Sequence, residues 1–138
     1  MLDKYYDAKY NNSPAYKYLM DYRELVKRGE ITPLLGFRTY YAYSRAIQNN
    51  LVGIKTPLGF EIEGFASHFV GRVIGRAGAS KKYNRKGVQV EDLLTCLRTG
   101  EIGKTQISPK GEKSILLISD KCFISINPDK KILVQCNP

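Results

Sequence analysis

The feature that most restricts the fold is a change of period part-way along the chain. Up to about residue 99 the apolar residues recur mainly at helical spacing; from residue 101 onward they fall in short runs cut by turn residues. Helix-period segments bury one stripe and strand-period segments bury one face, so a chain carrying both in blocks has to lay helices on a sheet.

Tyr18, Leu19, Tyr22, Leu25 and Val26 follow Ser13-Pro14, a favourable helix start, and precede Gly29, a natural stop, so a helix is expected over 15–28. Pro33 opens a second expected helix, in which Phe37, Tyr40, Tyr41, Ser44 and Ile47 recur. All of the ten tyrosines except Tyr83 lie before residue 44. Packing accounts for most of these rings, with base stacking as the other use of such residues. Residues 51–63 alternate around Pro57-Leu58-Gly59 and are expected to form a β-hairpin. Helical spacing returns over 64–77 with Phe65, Phe69, Val73 and Ile74, and again over Val90–Leu97, where Glu91 and Asp92 at the start and Arg98 at the end suit the helix dipole. Strands are expected at Lys104–Ser108, Ser114–Ser119, Cys122–Ile126 and Ile132–Cys136.

The reading is an α+β fold, with N-terminal helices packed on one face of a twisted antiparallel sheet of about four to six strands. A helical lead-in over 1–50 and a core over 51–138 are expected to make one compact domain, which suits 138 residues.

Charge narrows the function. Lys and Arg number 22 against 13 Asp and Glu, giving a net charge of +9, and such an excess favours a polyanionic partner, nucleic acid or an anionic membrane. No apolar run nears the ~20 residues that cross a bilayer, and no secretory signal opens the chain, so stable membrane insertion is not expected. Three cysteines, Cys96, Cys122 and Cys136, form no CxxC pair and read as buried free thiols.

The basic residues concentrate beside the single histidine, His68. Between Gly64 and Val90 there is no carboxylate, while Arg72, Arg76, Lys81, Lys82, Arg85 and Lys86 supply cations. His68, Arg72 and Arg76 stand at i, i+4 and i+8, along one helical stripe. Imidazole beside guanidinium suits metal-free RNA cleavage: a base takes the ribose 2′-hydroxyl proton and cations neutralise the phosphorane-like charge. Packing of His68 and solvation of the charged face is the competing account of the same residues. The basic loop Lys81-Lys82-Tyr83-Asn84-Arg85-Lys86, with Arg76, is expected to bind RNA backbone, and Tyr83 either stacks on a base or is an exposed hinge residue. A second histidine is lacking and no carboxylates cluster with His68 in sequence, so no metal site is expected, and no cofactor motif is present.

The run Ile54–Arg76, the short segment Val88–Leu94 and the ending Ile126-Asn127-Pro128 through Pro138 together resemble the barnase/EndoU/colicin/RelE-like ribonuclease toxin domains, over about residues 51–138. The resemblance implies an RNA-cleaving toxin module at the C-terminus of a larger toxin or phage protein. It would act on tRNA or another folded RNA in a target-cell cytoplasm and be neutralised by a dedicated immunity protein, expected here to be acidic. The chain's ending after its last strand agrees with that position. The family's site residues would carry over to His68 and Arg72, and to Ser114, Ser125 and Gln135 on the late strands. The basic stretch 77–86 is longer than the turn expected after the helix. A non-catalytic nucleic-acid-binding or phage structural accessory protein is the alternative function.

Overall fold

A computed structural model describes residues 15–75 and 86–138 of the chain. Its helices form where the apolar stripes fall. Helix α1, Ala15–Lys27, buries Ala15, Leu19 and Leu25, and Gly29 ends it in the left-handed conformation at φ 75°. The Gly29 and Glu30 amides close the helix end by donating to the Val26 and Leu25 carbonyls at 3.0 and 2.9 Å. The expected start at Ser13-Pro14 lies outside the described residues.

Pro33 opens only a single 3-10 turn, Pro33–Leu35, capped by Thr32 Oγ1 accepting from the Leu34 amide at 3.2 Å. Gly36 then takes φ 84°, a conformation that L side chains rarely adopt, and so separates this turn from α2, Phe37–Leu51. The buried residues of α2 are Phe37, Tyr40, Ser44, Ile47 and Leu51.

The hairpin expected over 51–63 is corrected in two respects. Leu51 completes the apolar stripe of α2 and is its last helical residue. Beyond it the hairpin is short: Lys55 and Glu61 form its bridged pair, the Gly53 amide donates to the Ile62 carbonyl, the Ile62 amide to Ile54 and the Thr56 amide to Phe60, around a turn in which Thr56 Oγ1 accepts from the Leu58 amide and donates to the Phe60 carbonyl. The next residues, Gly64–Phe65, are extended rather than helical. They form β1, which pairs in parallel with the last strand (Gly64 with Ile132, Phe65 with Leu133). Helix α3 therefore begins late, spanning Ser67–Ile74, and Gly75 at φ 60° stops it.

Helix α4, Val90–Thr99, leads into β2 (Glu101–Ile107), β3 (Lys113–Ile118), β4 (Phe123–Asn127) and β5 (Ile132–Asn137). These four make an antiparallel meander, and β1 adds the fifth strand in the order β1-β5-β4-β3-β2. In the β4–β5 turn, Asn127 Oδ1 accepts from the Asp129 and Lys130 amides, each at 3.0 Å.

Register sorts the side chains of the sheet. Leu117, Ile124 and Cys136 stand abreast, as do Ile126 and Leu133, and all five are buried in one core with Leu19, Leu25, Phe37, Ile47, Phe69 and Leu97 of the helices. The fold is α+β with helices on a sheet. Helices α1 and α2 pack into the same core as the sheet. The three cysteines are free and buried. Among the described residues no helix is long and apolar enough to cross a membrane.

Candidate active site at the α3–β5 corner

Helix α3 is short, but it is held at both ends. Its start continues from β1, with the Ala66 amide donating to the Leu133 carbonyl at 2.9 Å. Its far end is clasped to the chain that returns toward α4: the Val88 amide donates to the Val73 carbonyl at 3.1 Å. Gly75 and Gly87 meet at this clasp, where a Cβ on Gly75 would lie 2.1 Å from the Gly87 nitrogen and one on Gly87 would lie 2.4 Å from the Val73 oxygen. Phe69, Val70, Val73 and Ile74 fix the buried side of the helix, leaving His68 and Arg72 partly exposed on a flank.

His68 meets a carboxylate. Its Nδ1 lies 2.5 Å from Glu30 Oε1, a contact between residues 38 apart in sequence. The His68 side chain is 31% exposed and that of Glu30 only 18%. Arg28 Nη1 stands 3.8 Å from the other carboxylate oxygen, Oε2. That oxygen is buried and has no hydrogen-bond partner among the described residues. The charged group against the imidazole is thus a carboxylate delivered from the end of α1, whereas the sequence pattern placed only guanidinium groups beside it.

Arg72, one helical turn from His68, points its Nη1 to Asn137 Oδ1 at 3.4 Å. Asn137 is in register with Phe123 at the end of β5. The contact ties α3 to the end of the sheet and leaves the guanidinium with donors to spare.

The strand residues singled out from the sequence sit apart from this pair. Ser125 and Gln135 are partners in register on β4 and β5, and Ser114 is on β3 beyond β4. Ser125 alternates with the core residues Ile124 and Ile126, so it lies on the face turned away from the helices, with Leu116 and Gln135. It is nonetheless buried, while Ser114 and Gln135 are half-buried. No hydrogen bond joins any of the three to His68 or Arg72 among the described residues. Of the expected RNA-binding residues, Arg76, Lys81, Lys82, Tyr83 and Arg85 lie outside the described residues; Lys86 is exposed just before the clasp.

Glu30 and Asn137 were not legible as site residues. Glu30 follows the stop glycine of α1, and nothing local connects it to His68. Asn137 differs from any strand-end asparagine only through its contact with Arg72.

A second cluster lies along α4. Cys96 Sγ donates toward the Leu117 carbonyl at 3.4 Å, and Cys122 Sγ toward the Asp92 carbonyl at 3.6 Å. The proximity of the two thiols pulls Cys122 down from its ordinary value and, together with burial, pushes Cys96 up. Burial raises Cys136 to about 12, the neighbouring Cys122 adding to the effect. A 540 Å³ cavity lined by Asp92, Thr95, Glu101, Ser119 and Asp120 adjoins this pair, remote in sequence from His68. Among the described residues, no three of His, Cys, Asp and Glu converge as metal ligands.

No protein family, no curated protein and no solved structure matches this chain.

Proposed function

We propose that the chain is a metal-independent endoribonuclease of the bacterial toxin type, with His68 as the base and Arg72 as the cation on the reacting phosphate. The observation that carries this reading is the pairing of a partly exposed imidazole with a carboxylate at one ring nitrogen, one helical turn from a guanidinium. A histidine whose Nδ1 is engaged keeps Nε2 for proton transfer, and Nε2 has no hydrogen-bond partner among the described residues.

In the proposed reaction, Nε2 takes the proton of the ribose 2′-hydroxyl. The 2′ oxygen forms a bond to phosphorus as the bond from phosphorus to the 5′ oxygen breaks. Water supplies a proton to the departing 5′ oxygen, and the imidazolium returns its own proton to the resulting hydroxide. The products are a 2′,3′-cyclic phosphate and a 5′-hydroxyl, and no atoms are gained or lost. Arg72 stabilises the charge that builds on the phosphoryl oxygens, where charge-assisted hydrogen bonds are strongest.

The net charge of +9 supports a polyanionic substrate. The resemblance carried by the 54–76 run supports tRNA or another folded RNA as that substrate, an acidic immunity protein as the neutralising partner, and delivery as part of a larger toxin. Ser114, Ser125 and Gln135 have weaker support as site residues than His68 and Arg72, since they make no contact with either.

The test is incubation of the purified protein with total RNA in excess EDTA, with end analysis of the products. Cleavage leaving cyclic phosphate ends, and its loss in His68→Ala with the fold retained, is the expected result. RNA binding without cleavage would overturn the enzymatic reading in favour of a nucleic-acid-binding module.

A further inference from the structure

We infer that Glu30 is the positioning residue of His68: its carboxylate holds the proton of the neutral imidazole on Nδ1, which leaves the Nε2 lone pair as the base. The assignment of the tautomer stands on geometry alone; its use in RNA cleavage rests on the function proposed above.

Two heavy atoms 2.5 Å apart, one nitrogen and one oxygen, need a proton between them. The surroundings decide which atom owns it. Arg28 Nη1 stands 3.8 Å from the same carboxylate, while its Nε donates to Glu24 Oε1 at 3.1 Å. Glu30 Oε2 is buried without a hydrogen bond among the described residues, so the anion depends on His68 and Arg28 for compensation. A buried carboxylate left unpaired is costly, and an N–H donor from the ring is the least expensive remedy. An ionised acceptor at Nδ1 therefore fixes the proton there. Free neutral histidine prefers the opposite tautomer, with the proton on Nε2, and in that form Nε2 has no lone pair to accept a ribose proton.

The partners are also held in place. Glu30 is seated by its backbone N–H, which donates to the Leu25 carbonyl at 2.9 Å, and the following residue, Ile31, is buried in the core. His68 sits in the first turn of α3, between the β1 pairing and the buried Phe69. When Nε2 takes up a proton, the ring becomes a cation with the carboxylate already beside it. Glu30 then needs no movement to stabilise that state, which is the general advantage of a preorganised partner.

Because His68 is the only histidine, one ring gives the whole imidazole spectrum. The experiment is nitrogen-15 NMR of the full chain labelled at histidine, at a pH where the ring is neutral, together with cleavage kinetics. In the wild type Nδ1 should show the shift of a protonated ring nitrogen and Nε2 that of an unprotonated one. In Glu30→Ala the pattern should revert toward free histidine, and kcat should fall roughly 10- to 100-fold with KM little changed. Glu30→Asp, which keeps a carboxylate, should restore part of both. A wild-type spectrum with the proton on Nε2, or one that Glu30→Ala leaves unaltered, overturns the inference. The wild-type spectrum requires no variant, so a Glu30→Ala chain that fails to fold does not remove the test. An Nδ1-protonated ring in a protein that cleaves no RNA would sink the ribonuclease reading and leave the role of Glu30 as tautomer anchor standing.

Discussion

Arg72 has two possible occupations, and they compete. Its bond to Asn137 is long, at 3.4 Å, and so is a weak claim on the guanidinium when a phosphate is present. Arg72→Ala should therefore lower kcat by about 100-fold, the scale seen when one donor to a developing oxyanion is removed, with a smaller change in binding. Arg76→Ala should cost less, since Arg76 follows the Gly75 stop of the helix that carries His68 and Arg72. Asn137→Ala should cost only a few-fold, since it frees the side chain without removing the charge. Single-turnover cleavage at saturating RNA separates these cases, and equal small losses at Arg72 and Arg76 would contradict the ordering. The sequence revealed His68 and Arg72 because i, i+4 spacing is a local property. It concealed Glu30 because a pair 38 residues apart is set by how α1 and α3 pack, and no spacing rule encodes that.

The elements were legible where their signal was local and repeated. The buried stripe of α2, the acidic start and Gly100 stop of α4, and the four meander strands all follow from periodicity and turn chemistry. What the period hid was a change of state within a few residues. Phe65 continues the apolar spacing of α3, yet it is extended, because the backbone of Gly64–Phe65 satisfies the free edge of β5 at Ile132 and Leu133. A parallel partner some seventy residues away is likewise a tertiary fact. At the other end of α3, glycine is demanded by contact: an added Cβ on Gly87 would collide with backbone oxygen, not with a side chain that can turn aside. Gly87→Ala should thus destabilise the fold by roughly 2–3 kcal/mol, in the range of backbone strain and overpacking. Urea denaturation measures it, and a midpoint within error of the wild type would mean that the clasp yields.

For the molecule as a whole, buried acids of high pKa set an alkaline limit. Burial raises Cys136 from 9.0 to about 12 and raises Tyr40 above its ordinary value of 10.0, Asp21 adding to the latter. Both groups stay protonated in the folded chain while the unfolded chain ionises. The unfolded state then binds fewer protons at these two sites, so the stability they contribute is complete below about pH 9 and falls as pH rises toward the folded values. Cys136 alone should remove about 2 kcal/mol by pH 10.5, at ~1.4 kcal/mol per pH unit. Urea midpoints at pH 8 and 10.5 under reducing conditions check this, and Tyr40→Phe should flatten the decline. RNA affinity in a His68→Ala background should fall steeply with salt, and less steeply once Lys81, Lys82, Arg85 and Lys86 are replaced by Ala. Equal slopes would move the RNA path away from that stretch. The clasp at Gly75 and Gly87 bears on the same stretch in another way. Because the fold holds Gly75 and Gly87 against one another, closing a longer chain between them should cost only the logarithm of its added length. Residues inserted between these two glycines should therefore leave α3 and His68 where they are, at little cost in stability.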